Sequence, residues 1–198
     1  MNKVLVINGA YRDNGMTDQV LSVMVEALNE EGIDSEVILL RKYPIEFCLN
    51  CRKCTQQPGR LPGECVHRDA MQSLIDKIEV ADAYILAAPT SFGSVTAIFQ
   101  RFMERLIVYA YWPWGARAPR PRRADTGNKK AVLVSSCAAP GLLGRWTFNT
   151  LSQLKGAAKA IGATPVGALF TGLVGEEAHP SMSKRTKTKA RALVLKLK

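Results

Sequence analysis

The apolar positions of this chain fall into short blocks that alternate between two periods. Residues 3–8 (Lys-Val-Leu-Val-Ile-Asn) form an unbroken apolar run, the mark of a strand covered on both faces, and Gly9 ends it. Helical spacing takes over across 17–31, with Val20, Leu21, Met24, Val25 and Leu28 on one side and Gly32 as a left-handed cap. The alternation then repeats. Strands are predicted at 34–40, 83–88, 131–136 and 164–173, and helices at 69–79, 94–110, 145–161 and from about 181 to the end. Met71, Leu74, Ile75 and Ile78 face inward on the second helix, and Ile98, Phe102 and Leu106, with Ile107 and Tyr109, on the third. Residues 111–129 lack periodicity and are rich in Pro, Arg and Trp, which predicts a long loop with a role of its own.

Five strands alternating with five helices imply a parallel sheet with helices on both faces. The predicted fold class is α/β: a flavodoxin-like, doubly wound five-stranded sheet of order 2-1-3-4-5. At 198 residues and 47% hydrophobic, the chain can bury one core. A single domain over 1–198 is expected, with a Cys-rich insertion loop at 44–66 and a basic C-terminal helix at 181–198. No internal repeat is present. No stretch is apolar enough to span a bilayer, and the run Val4–Ile7 is too short for a signal-peptide core, so a cytoplasmic protein is expected.

The net charge of +10 is concentrated in two places. Residues 115–130 carry six basic side chains against one acid, and residues 184–198 carry seven against none, leaving the remainder slightly acidic. These segments are either solvated surface or, in the first case, an anion site and, in the second, a lipid, nucleic-acid or subunit contact. Nothing resembles a nucleic-acid-binding motif, so a nucleic-acid partner is not expected.

In a sheet of this order, ligands sit beyond the carboxyl ends of the strands where the strand order switches. Three loops point there: Gly9–Thr17, Pro89–Ser94 and Ser135–Gly141. The first (Gly9, Ala10, Tyr11, Arg12, Asp13, Asn14, Gly15, Met16, Thr17) enters a helix N-terminus, where unpaired N–H groups and the dipole favour an anion. Arg12 adds charge and Thr17 a hydroxyl. The spacing fits neither a P-loop nor a dinucleotide turn and suits a monophosphate; a plain turn with Thr17 as N-cap is the alternative. In the second loop (Pro89, Thr90, Ser91, Phe92, Gly93, Ser94), Gly93 permits close backbone approach, N–H groups can bond the polar edge of a flat ring, and Ser94 can cap the next helix. In the third, the amides of Ser136, Cys137 and Ala138 face the same crevice. Cys137 reads as a buried small residue, with a reactive thiol as the alternative.

Four of the five cysteines cluster as Cys48-x-x-Cys51-x-x-Cys54 and Cys65. In a reducing compartment such a cluster binds metal or does redox work more often than it forms structural disulfides. Three readings stay open: an iron–sulfur cluster, structural zinc, or a metal-free thiol set that switches as a disulfide. His67, close by, reads as a surface residue.

Gly9, Arg12 and Asn14-Gly15-Met16-Thr17 resemble the phosphate loop of the NADPH-dependent FMN reductase superfamily. Pro89 to Ser94, followed by a helix with Phe102, Glu104 and Arg105, resembles its isoalloxazine loop and next helix. The cysteine spacing resembles the iron–sulfur flavoprotein branch. The resemblance runs in order through at least residue 140. It differs at Ala10, where Ser is usual, at Ser91, where an aromatic is frequent, and in a longer gap between Cys54 and Cys65. It implies FMN held by Gly9, Ala10, Arg12, Asn14, Gly15, Met16, Thr17, Pro89, Thr90, Ser91, Phe92, Gly93, Ser136, Cys137 and Ala138. It further implies NAD(P)H as electron donor, a quinone or other small acceptor, a 4Fe–4S cluster on Cys48, Cys51, Cys54 and Cys65, and a homodimer or homotetramer. Beside a flavin, Tyr111-Trp112-Pro113-Trp114 would stack on the ring or wall a substrate pocket. Arg117, Arg120, Arg122 and Arg123 would dock a nicotinamide cofactor's phosphate. A subunit contact or mobile loop is the alternative. No Ser-His-Asp set or carboxylate pair is present, so no acid–base residue is expected. A non-enzymatic electron carrier or redox sensor, and a zinc module without flavin, are the rival classes.

Overall fold

A computed structural model describes residues 3–122, 129–175 and 180–198. Five strands, β1 (Lys3–Asn8), β2 (Asp34–Leu39), β3 (Ala83–Ala87), β4 (Lys130–Ser136) and β5 (Thr164–Thr171), form one sheet in the order β2-β1-β3-β4-β5. Every pairing is parallel. Alternation along the strands divides the core. Leu5, Ile7, Tyr84, Leu86 and Leu133 pack with α2 (Ala70–Val80), α3 (Ala97–Arg105) and α5 (Thr150–Ala160). Val4, Val6, Ile85, Val132 and Val134 pack with α1 (Met16–Glu30) and α6 (Lys184–Leu195). The unbroken apolar strands are thus covered on both sides, as their sequence requires.

Four local expectations change. The helix expected at 94–110 is shortened because Thr90–Ser91 and Ser94–Val95 pair as a small antiparallel hairpin. Its turn residues, Phe92 and Gly93, have φ of 52° and 78°. Ser94 therefore does not cap α3; its hydroxyl donates to Gln153 Oε1 at 2.8 Å. The helix expected at 145–161 is two, α4 (Gly141–Thr147) and α5, because the Asn149 amide donates to the Gly93 carbonyl (2.9 Å) across the sheet edge. Thr17 is not an N-cap. Gly15 holds that position, and Thr17 lies buried in the first turn. The loop after α3 is also ordered in part: a 3₁₀ turn at Leu106–Tyr109 leads into Ala110–Tyr111, which pairs with Arg120–Pro121. Arg123 lies outside the described residues.

The basic α6 lies on α1 through Ala190, Leu193 and Val194. Arg191 and Lys198 pair with Glu30 and Glu31. Those carboxylates stand at the C-terminal end of α1, where the helix dipole disfavours negative charge, so two of the C-terminal cations have an internal task. No described helix is long and apolar enough to cross a membrane.

The loop after β5 runs hard against the start of α4. A Cβ at Gly172 would lie 2.1 Å from the Gly141 nitrogen and 2.6 Å from the Ala139 carbonyl oxygen, so only glycine fits without backbone movement. Gly172→Ala is expected to cost about 1–3 kcal/mol, read as a lower urea midpoint at unchanged m. An unchanged midpoint would show that this contact yields freely.

Candidate functional site

The carboxyl edge of β1, β3 and β4 gathers the three predicted loops and locks them with short polar contacts. Asn8 begins the first loop: its Oδ1 accepts from the Ala10 amide at 2.8 Å, and its Nδ2 donates to Asp18 Oδ1 at 2.6 Å. Arg41, just beyond β2, donates to the Ala10 carbonyl at 2.9 Å and pairs with Asp13 and Asp18. Thr96 donates to the Gly9 carbonyl at 2.5 Å, tying the second loop to the first. Thr17 and Ser136, both buried, meet at 3.1 Å and tie the first to the third. Thr90 lies 2.9 Å from Thr150 Oγ1 and 3.4 Å from Ser135 Oγ. A Cβ at Gly9 would sit 2.8 Å from the Phe99 side chain, so the first loop reaches its place only with glycine there.

α1 starts without a side-chain cap. The first-turn acid, Asp18, is directed to Asn8, Asn14 and Arg41. The helix thus offers its first N–H groups and positive dipole end to the crevice, which suits an anionic group. Arg12 and Asn14 are exposed at its rim, and Asn14 has a left-handed φ of 56°. Thr17 and Ser136 are buried inside the cradle as its cross-link, and Ala10 is buried beside them. Phe92 projects wholly into solvent from the hairpin apex, in a backbone region that costs a bulky residue energy. Cys137 is buried and donates to the Ala139 carbonyl (3.2 Å); burial pushes its thiol pKa up, which suits a packed residue and not a reactive thiolate.

A second site lies where the chain leaves β2. Cys48, Cys51, Cys54 and Cys65 line one narrow cavity of about 30 Å³, together with Arg52, His67, Arg105 and Trp112. All four cysteines are free thiols. Among the described residues no three potential ligands converge closely enough to hold a single metal ion. Burial pushes the Cys54 thiol up to about 11, and Cys65, Cys48 and Cys51 add to the shift. N–H groups already address the sulfurs: Asn50 N lies 3.4 Å from Cys48 Sγ, and Arg105 Nη2 lies 3.4 Å from Cys65 Sγ. Asn50 and Arg52 adopt left-handed φ of 52° and 58°, which winds the loop tightly between its cysteines.

Arg105 is 2% exposed and ends α3. It donates to Asp69 Oδ2 at 2.6 Å and Oδ1 at 3.2 Å, and to the Glu46 carbonyl at 2.8 Å. Asp69 in turn caps α2 by accepting from Met71 N and accepts from Glu46 N. Burial raises the Asp69 pKa, but the Arg105 guanidinium and these two amides outweigh it and hold the carboxyl below its ordinary value. Sequence reasoning missed this pair. Arg105 came up only as part of a resemblance, and nothing local marks Asp69 beyond its place before a helix.

The aromatic loop serves the cysteines. Arg52 is stacked between Trp112 and Trp114, its guanidinium carbon 3.7 Å and 4.4 Å from their ring centres. One face of each ring is thus taken by Arg52, while Trp114 stays largely exposed. Arg122, expected to bind phosphate, donates to the carbonyls of Val108, Gln57 and Cys54. Arg117 and Arg120 are exposed. His67, expected on the surface, has a buried Nε2 at the cysteine cavity.

The model of the NADPH-dependent FMN reductase family matches residues 2–172. An iron-sulfur flavoprotein of Archaeoglobus fulgidus is 32% identical over 180 residues, covering 88% of this chain and 73% of that protein. An iron-sulfur flavoprotein of Methanocaldococcus jannaschii is 32% identical over 103 residues, 52% of this chain and 51% of its own length. The chain thus spans only about half of that second relative. Among solved structures, an NAD(P)H:quinone oxidoreductase of Methanothermobacter marburgensis superposes with a TM-score of 0.68 at 16% identity, covering 98% of this chain and 97% of that one. This last likeness bears on the fold.

Two variants probe the cysteine site. Asp69→Asn leaves Arg105 buried and unpaired and is expected to cost about 3–5 kcal/mol at neutral pH. Because the folded carboxyl titrates below its ordinary value of 3.8, its stabilisation is complete above that value and is lost as pH falls through the folded value. The variant should therefore lack this part of the acid limb in a stability–pH curve; an identical limb would remove Asp69 from this role. Gly63→Ala places a Cβ 1.7 Å from the Cys54 carbonyl oxygen, a collision only backbone movement relieves. It is expected to displace Cys65 from Cys54, measured as faster reaction of the buried Cys54 thiol with a thiol reagent, with the fold retained by circular dichroism.

Proposed function

Since this chain belongs to the NADPH-dependent FMN reductase family, we propose that it passes electrons from NAD(P)H through bound FMN to a small acceptor such as a quinone or to an iron–sulfur cluster held by Cys48, Cys51, Cys54 and Cys65. The observation that carries the flavin reading is the locking of Gly9–Thr17, Pro89–Ser94 and Ser135–Gly141 around the open end of α1, through Thr17 to Ser136, Thr90 to Ser135, and Thr96, just past the second loop, to Gly9. The flavin, when bound, supplies the hydride and electron chemistry. The chain's part is to hold and orient it. The first-turn amides of α1 and Arg12 would receive the phosphate, without the hydroxyl that a serine at position 10 would add. The backbone of Thr90–Gly93 and Ser136–Ala138 would line the polar edge of the ring, where N–H groups favour added negative charge.

The cluster reading rests on the second cavity. Four thiols surround it, two N–H groups already approach their sulfurs, and its walls mix apolar and cationic side chains. A thiolate-rich cluster is strongly anionic and is stabilised by such donors. The exposed stretch from Leu49 to Cys51 is the side on which the narrow cavity can widen to admit it. The relatives' names support the same group. A homodimer or homotetramer is the proposed assembly, and the exposed apolar side chains of Phe92, Leu143 and Trp146 are available to a second copy.

Protein purified without oxygen is expected to show the visible bands of oxidised flavin, with about four irons and four sulfides per chain. It is also expected to oxidise NAD(P)H when a quinone is supplied. Flavin without NAD(P)H oxidation would favour a non-enzymatic carrier. Stoichiometric zinc in place of iron would overturn the cluster reading and leave the flavin reading intact. Failure to bind FMN on reconstitution would overturn the whole proposal.

A further inference from the structure

Three buried side-chain nitrogens lack a hydrogen-bond partner among the described residues: Arg52 Nε, Arg105 Nε and His67 Nε2. All three belong to residues that line the cysteine cavity. Each is a costly group to leave unsatisfied. Finding them around a single void of a large core is not explained by packing. The two arginine nitrogens are obligatory donors, since a guanidinium does not lose its proton in proteins. Their terminal nitrogens are anchored: Arg105 Nη1 and Nη2 bond Asp69, the Glu46 carbonyl and Cys65 Sγ, and Arg52 Nη2 bonds the Trp112 and Pro113 carbonyls. Those bonds, and the stacking of Arg52 between two indoles, hold the guanidinium planes fixed. The remaining N–H groups are therefore preorganised toward whatever occupies the cavity.

We propose that Arg52, Arg105 and His67 form a set of hydrogen-bond donors to the sulfur atoms of the group held by the four cysteines, and that His67 is the member that adjusts its reduction potential. The inference rests on the cluster reading above. Reduction adds negative charge to a cluster, and N–H donors to its sulfurs favour the reduced form and raise its potential. Arg105 and Arg52 carry structural duties as well. His67 makes no hydrogen bond or ion pair among the described residues, so of the three it is the one whose replacement breaks no polar contact.

The test is a potentiometric titration of the cluster in the intact, flavin-loaded protein, followed by electron paramagnetic resonance. His67→Leu is expected to shift the reduction equilibrium about tenfold toward the oxidised form, equal to about 59 mV for one electron. His67→Gln, which retains a side-chain N–H at a similar reach, is expected to recover most of the shift. A potential in His67→Leu equal to that of the parent would overturn the inference. Should His67→Leu fail to keep iron, a second measurement decides. The chain has two histidines, His67 and His179. Pulsed resonance of the reduced parent, grown with ¹⁵N-histidine, should show weak nitrogen coupling that persists in His179→Gln. No coupling would overturn the donor role. A strong coupling, as for nitrogen bound to iron, would replace it with direct ligation. A parent protein that takes up no iron and sulfide at all would instead overturn the cluster reading on which the inference stands.

Discussion

The buried pair of Asp69 and Arg105 is the constraint on which the rest of the cysteine site depends. Taking both charges out of water costs several kcal/mol each, and their attraction does little more than offset this. What the pair contributes is geometry. One carboxylate caps α2, receives the Glu46 amide and orients the guanidinium; the guanidinium then fixes the Glu46 carbonyl and reaches Cys65. Two helices and both ends of the Cys-rich loop are thereby referred to one point. A hydrophobic replacement could fill the same volume but would carry none of these directions.

The same helix that ends at Arg105 begins at the other site. Thr96, at the N-terminus of α3, bonds the Gly9 carbonyl of the first loop, and Arg105, at its C-terminus, bonds Cys65. Nine residues at 1.5 Å rise make a rod of roughly 13 Å between the crevice and the cysteines. Phe99 and Phe102, both fully buried and in edge contact, anchor the rod in the core. Phe99 also sets how near Gly9 can come. The spacing between the two sites is therefore fixed by regular secondary structure packed in the core, and not by the loops that carry the ligand-binding residues.

The sheet and its order were legible in the sequence because strands covered on both faces leave unbroken apolar runs, and the run at 3–8 is an example with little ambiguity. The three crevice loops were legible for the same reason: they are what remains between such runs. Helix ends were less so. The split between α4 and α5 depends on an amide at Asn149 captured by Gly93, and the shortening of α3 on a two-residue hairpin; both are contacts between distant segments. The capping roles considered for Thr17 and Ser94 fell because a hydroxyl near a helix start can cap it or turn away to a neighbour 119 or 59 residues distant, and only the packed structure decides. Trp112, Trp114 and Arg122 were assigned to a cofactor on chemistry that was sound, aromatic stacking and guanidinium hydrogen bonding. The same chain also supplies them with partners, Arg52 for the indoles and the Cys54 carbonyl for Arg122, and no sequence pattern marks those contacts.

That reassignment explains where the excess positive charge of the chain goes. An anion at the end of α1 is met by backbone: a helix supplies N–H groups and a dipole from its regular geometry, so the crevice needs few cationic side chains. The loop at 44–66 has only one short 3₁₀ turn (Lys53–Thr55) and no α-helix end to offer. Its directed N–H groups come from side chains, and those side chains stand on elements stiff enough to keep their direction: Arg105, from α3, reaches Cys65, Arg52 is held between two indoles, and Arg122, just past the hairpin strand that closes the aromatic loop, fixes the Cys54 carbonyl. A run of arginines that reads as solvated surface in the sequence is, at Arg122, scaffold for a thiol-rich interior, and the need for directed N–H groups where the backbone cannot provide them is the physical reason.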